Sequence, residues 1–107
     1  MRIEAKLWEH TLYKLVLAGT LHLNEARILK CLWEHGKLDL WQASQFTGLE
    51  AIETAEACRG LHEKGVIRVT PEGYEVEAME AVLDRLIEQT SPDKRGILQI
   101  EVQATAN

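Results

Sequence analysis

The stretch "CRGLHEKGVIRVTPEGYEV", Cys58 to Val76, constrains the fold more than any other part of the chain. An amphipathic helical run closes on Lys64 and Gly65, the usual basic-then-glycine ending, and passes at once into β-rich residues. Val66 to Thr70 and Tyr74 to Val76 then flank Pro71-Glu72-Gly73, which reads as a tight hairpin.

Outward from that segment the helical spacing continues. Ile3, Leu7, Trp8, Leu12, Leu15 and Val16 predict a first helix over about 4 to 17, although Ile3, Ala5 and Leu7 alternate as a short strand would. Asn24 is a fitting N-cap for a second helix that stops at Gly36, with Ala26, Leu29, Leu32 and Trp33 inward. Asp39 and Gln42 have capping-box spacing and open a third helix ending at Gly48. "LEAIETAEACRGLHEKG" is the fourth. A fifth, about Glu77 to Gln89, lines up Val76, Met79, Val82, Leu83, Leu86 and Ile87, and Ser91-Pro92 ends it. The tail alternates Leu98, Ile100 and Val102 with Gln99, Glu101 and Gln103, which predicts a terminal strand at 97–103. That strand needs a partner, either the hairpin, the residues around Ile3 to Leu7 or a second copy. The expected class is mainly α with a small β component. At 107 residues and 46% hydrophobic, one domain spanning 1–107 is expected.

The order of helix, short helix after a polar turn, longer helix and hairpin resembles the winged helix-turn-helix superfamily, including MarR-like and PadR-like regulators. Leu61, Lys64, Gly65, Val66 and Ile67 occupy the positions of that superfamily's Leu-x-x-Lys-Gly-Leu-Ile ending. The resemblance covers Leu21 to Val76, about half the chain, and no motif singles out a subfamily. It suits the division read along the chain, an N-terminal helix over 1–20, a winged helix-turn-helix core over 21–76, a C-terminal helix over 77–90, and a loop and strand over 91–107. It also implies DNA binding, the fourth helix entering the major groove and wing cations meeting phosphate.

Charge opposes that last implication. Twelve Lys and Arg face 17 Asp and Glu, a net −5, the wrong sign for a phosphate-binding surface. A wheel of about 100° per residue taken from Ile52 turns Ala51, Ala55, Cys58 and Leu61 inward and leaves Glu53, Glu56, Gly60 and Glu63 outward. From Glu72 to Glu88, six carboxylates face Arg85 alone. Gly60 on an outward face costs about 1 kcal/mol relative to alanine, so with its small neighbour Ala57 it marks either a close protein contact or a neutral solvated position.

The expected function is therefore non-catalytic protein recognition by an adaptor or regulatory subunit. The contact is placed at Glu53, Glu56, Ala57, Arg59 and Gly60, with Glu72 at the hairpin tip. The alternative is a dimeric DNA-binding transcriptional regulator using Arg27, Lys30, Lys37, Arg59, Lys64 and Arg68; a ligand-sensing regulator is compatible with either. Apolar stripes at Leu7, Trp8, Leu12 and Leu15 and at Val82 and Leu86 are expected to form a homodimer layer, or else to fold onto the chain's own core. Trp33 and Trp41 are expected to fill the core of the motif.

Catalytic chemistry finds no footing. Ser44, Ser91 and the two cysteines are isolated, and neither a phosphate-cradling glycine loop nor a zinc-binding HExxH helix is present. Cys31 and Cys58 lack metal-ligand spacing and read as buried thiols. "LWEH" occurs at Leu7 to His10 and Leu32 to His35, but neighbours on a helix diverge in direction, so neither copy is a chelate; nothing in the spacing of His10, His22, His35 and His62 asks for a metal. No metal or cofactor is expected. No apolar run reaches the roughly 18 residues of a membrane span, and Met1-Arg2-Ile3-Glu4 is unlike a secretory signal; a cytoplasmic protein is expected.

Overall fold

Among the described residues, helical stripes punctuated by caps and glycines become five α-helices and a hairpin. The computed structural model describes the backbone of residues 5–98 and the side chains from residue 8 onward. In chain order these are α1 (Ala5–Leu17), α2 (Leu23–His35), α3 (Leu40–Thr47), α4 (Ala51–Glu63), β1 (Ile67–Thr70), β2 (Gly73–Val76) and α5 (Met79–Gln89), followed by a 3-10 turn at Pro92–Lys94. The molecule is mainly α with one two-stranded antiparallel sheet.

Local chemistry sets the helix ends. At α3 the expected box is complete: the Gln42 N–H donates to Asp39 Oδ1 at 2.8 Å, and the Asp39 N–H donates to Gln42 Oε1 at 3.0 Å. At α2 the start differs from expectation. His22, not Asn24, is the N-cap, and its backbone N–H donates to Glu25 Oε1 at 2.8 Å. Glu25 at N3 satisfies an otherwise orphaned donor, which draws the helix start back past Asn24.

The hairpin pairs Ile67 with Val76, Arg68 with Glu75, Val69 with Tyr74 and Thr70 with Gly73. A third backbone segment joins it. Leu38, between α2 and α3, exchanges hydrogen bonds with Tyr74, its N–H to Tyr74 O at 3.0 Å and the Tyr74 N–H to Leu38 O at 2.7 Å. Gly73 makes this possible: its φ is +145°, and a Cβ there would lie 2.4 Å from the Leu38 carbonyl oxygen. Only glycine fits so close an approach of two backbones.

One apolar cluster runs through the described residues. Trp8, Leu12 and Leu15 of α1, Leu29 and Leu32 of α2, Leu61 of α4 and Val82 and Leu86 of α5 are buried in it. This core takes up the side chains expected at a homodimer layer. Trp8, Leu12, Leu15, Val82 and Leu86 are spent on the chain's own core, because α1 packs on both α2 and α5; the side chain of Leu7 lies outside the described residues. Trp33 stacks on Trp8 with ring centroids 5.1 Å apart. Trp41 departs from expectation, being 68% exposed. The inward stripe of α3 is Leu40, Ala43, Ser44 and Thr47, at helical spacing, and Trp41 lies off it.

The C-terminal strand is corrected where it can be seen. Residues 95–98 are helical, so 97 and 98 are not strand, and 99–103 lie outside the described residues. The reason is local. Pro92 opens a 3-10 turn, and the Arg95 guanidinium donates to Thr90 O at 3.2 Å and Glu88 O at 3.1 Å, folding the chain back over the end of α5. Among the described residues no helix is long and apolar enough to cross a membrane.

Candidate interaction surface

Two faces of α4 divide the expected contact residues between them. The inward stripe is Thr54, Ala57, Cys58 and Leu61, spaced i, i+3, i+4 and i+7. Ala57, placed outward from the sequence, is 5% exposed. Gly60 faces α2, where a Cβ would lie 2.1 Å from Glu25 Oε2. The small residues therefore admit a neighbouring helix of the same chain, and the expectation that Ala57 and Gly60 meet a partner is corrected. The sequence wheel is off by roughly 50°, because the inward stripe runs through Thr54 and Ala57 where the sequence placed Ala51 and Ala55.

What fills the space over Gly60 is a carboxylate. The Glu25 side chain is 3% exposed, and Lys64 Nζ donates to both its oxygens, at 3.1 and 2.9 Å. With the His22 N–H as a third donor, the buried charge is paired and hydrogen-bonded. It ties the start of α2 to the end of α4. That end is also held by α5: the Arg85 guanidinium donates to Gly65 O, and Gln89 Nε2 donates to Lys64 O at 2.8 Å.

The outward face is different in kind. Ile52, Glu56, Arg59 and Glu63 share one line along the helix, and all are exposed, Ile52 at 66%. Glu53, one step round, accepts the Glu50 N–H at 3.1 Å, so it serves first as an N-terminal cap. Arg59 is 3.9 Å from Glu63. Of the six residues expected at the contact, Glu53, Glu56 and Arg59 are exposed on α4, and Glu72 is exposed at the hairpin turn, 3.8 Å from Lys37. Sequence reasoning missed Ile52 and Trp41. The signal was present, since both fall off the inward stripes of their helices.

The cations that a DNA-binding role would use are mostly engaged. Lys30 meets Glu9 at 2.9 Å, Lys37 meets Glu75 at 3.6 Å, Lys64 meets Glu25, and Arg68 meets Glu75 at 3.2 Å. The bond to Glu9 holds the Lys30 ammonium above its ordinary pKa, against the opposing pull of burial. Among the described residues Arg27 alone of the six expected cations makes no ion pair. It lines an open cleft with Tyr13, Lys30, Glu34 and the His35–Phe46 stack, whose centroids are 4.1 Å apart. Exposed pairs are worth only about 0–1 kcal/mol, so pairing alone does not silence these cations; the surplus of carboxylates beside them does more.

The thiols are buried and free. Burial pushes the Cys58 thiol up to about 11, with a smaller push from Cys31, and burial also raises Cys31 and Tyr74. A thiol so far from ionising at neutral pH is a poor nucleophile. Among the described residues no three His, Cys, Asp or Glu side chains are grouped to hold a metal ion. No protein-family model, curated protein or solved structure matches this chain.

Proposed function

We propose that this is a winged-helix protein whose helix-turn-helix surface docks on another protein instead of reading DNA, acting as a non-catalytic adaptor or regulatory subunit. In this reading α3 and α4 form the helix-turn-helix, β1 and β2 form the wing, and the Leu38 bridge to Tyr74 ties the wing to the turn before α3. One observation carries it. The line of α4 that would enter a major groove bears Ile52, Glu56, Arg59 and Glu63, with Glu53 beside it, so a cation already paired to a carboxylate stands among three acidic side chains. A single Glu can accept a hydrogen bond from cytosine, but three carboxylates on a groove-facing helix would each face phosphate.

The homodimer expected from the helix stripes loses that support, since those side chains are consumed within one chain. A cytoplasmic setting fits the two buried free thiols. The DNA-regulator alternative draws on Arg27, which makes no ion pair among the described residues, and on the exposed Arg59 and Arg68. Titration of the full chain into fluorescent, non-specific duplex DNA at low salt separates the two. The protein-docking reading expects no binding at concentrations near the 10⁻⁴ to 10⁻⁶ M typical of non-specific binders. Binding that weakens steeply with salt would establish the alternative.

A further inference from the structure

We infer that the occupant of the α3–α4 surface is a basic amphipathic segment of another protein, seated on Trp41 and Ile52 and held by Glu53, Glu56 and Glu63. This rests on the protein-docking reading and narrows it from a surface to a partner chemistry.

The anchors come first. Trp41 in the first turn of α3 and Ile52 in the first turn of α4 are both about two-thirds exposed, on two helices that pack against one another. Neither is needed by the core, which the inward stripes of both helices complete. Large apolar side chains held outward on a rigid scaffold are what interface hot spots are made of, tryptophan above all.

Charge then selects the occupant. Beside Ile52 the outer line of α4 carries Glu56 and Glu63, with Glu53 adjacent and Glu50 at the cap, and its one cation, Arg59, is shared with Glu63. A neutral segment would bury against unpaired carboxylates and an acidic one would be repelled, whereas Lys or Arg flanking the apolar contacts would be attracted and oriented. A second copy of this chain fits poorly. Its acidic α4 face would meet carboxylates with carboxylates, and Lys37 and Arg68 near the hairpin already serve Glu72 and Glu75.

The test uses the emission of Trp41, the exposed member of three tryptophans; Trp8 is buried and stacked on Trp33. Three synthetic peptides share one amphipathic pattern, with Lys and Arg, Ser and Gln, or Glu at the polar positions. A fourth keeps the Lys and Arg but has no apolar residues. Each is titrated into the full chain and into the Trp41→Phe and Ile52→Ser variants, with circular dichroism confirming the fold. The basic amphipathic peptide is expected to shift Trp41 emission to the blue and to bind about ten-fold or more tighter than the neutral one, weakening with salt. Ile52→Ser is expected to lower its affinity about ten-fold, and Trp41→Phe to abolish the spectral shift. Equal binding of the neutral peptide would overturn the basic partner while leaving the docking surface standing. Equal binding of the fourth peptide would overturn the apolar anchors. Failure of every peptide overturns this inference, and failure alongside binding of duplex DNA overturns the docking reading too.

Discussion

The two faces of α4 differ in kind. On the inner face small residues, Ala57 and Gly60, bring α2 close, and a buried charge, Glu25, is answered by Lys64 and the His22 N–H. On the outer face a large apolar side chain stands in solvent among carboxylates. Smallness marks where the chain packs on itself; exposed bulk marks what the fold leaves unsatisfied. A glycine inside a helix is therefore a pointer to close approach, but the helix wheel has to be set before one can say which neighbour approaches.

The largest expected effect breaks the inner face. Lys64→Ala leaves Glu25 buried without its counter-charge and should cost about 3–5 kcal/mol in chemical denaturation. Glu25→Ala should cost less, since Lys64 sits at the rim and its ammonium can reach water. A loss equal to that of Lys64→Ala would mean that the pair, not the orphaned carboxylate, carries the stability.

Gly60→Ala sharpens the same point through its sign. In the native background the new Cβ collides with a carboxylate that is pinned by Lys64 and His22, and a loss on the order of 1–3 kcal/mol is expected. In a Glu25→Ala background the collision is gone and helix propensity takes over, so the same substitution should stabilise by up to about 1 kcal/mol. Unchanged sign across the two backgrounds would contradict the packing account.

The buried thiol gives a pH signature to the inner face. Burial lifts the Cys58 thiol from its ordinary pKa of 9.0 to about 11. The folded chain thus binds more protons than the unfolded one between those values. The contribution is intact below pH 9 and is lost as pH rises towards 11, on the order of 1–3 kcal/mol. Denaturation of the native chain and of Cys58→Ala across that window measures it, and parallel curves would remove Cys58 as the cause.

The smallest effect belongs to the outer face. Trp41→Ser and Ile52→Ser should each change stability by less than about 0.5 kcal/mol, as substitutions away from the core do. A loss of 2 kcal/mol at either position would show that the side chain serves the fold and would remove it from the docking surface.

Much of this architecture could be read from the residues because it is punctuated. The Asp39–Gln42 box, the glycines that close α2 and α3, and Pro71-Glu72-Gly73 each announce an element boundary in a few residues. What escaped depends on contacts distant in sequence. Nothing near Asn24 says that Glu25 reaches back to His22 and across to Lys64, and a single paired residue such as Leu38 carries no alternation to detect. The rotation of α4 was a different kind of miss. A threonine is polar in the sequence, yet Thr54 is buried with its hydroxyl donating to Glu50 O at 2.9 Å, and the inward stripe runs through it and Ala57, not through Ala51 and Ala55. The tail misled through its alternation, since Arg95 and Pro92 start a helical turn before the alternating residues begin.

On the proposed function, carboxylates on the outer line of α4, and not its shape, keep this surface from nucleic acid. Glu56→Lys with Glu63→Lys tests it most directly, since neither is the α4 cap and Arg59 is released from its partner. Wild type and double variant are titrated side by side into non-specific duplex DNA over a range of salt. No binding is expected by wild type, and binding by the variant, with an affinity that falls steeply with salt. Equal binding by both, or by neither, would contradict it.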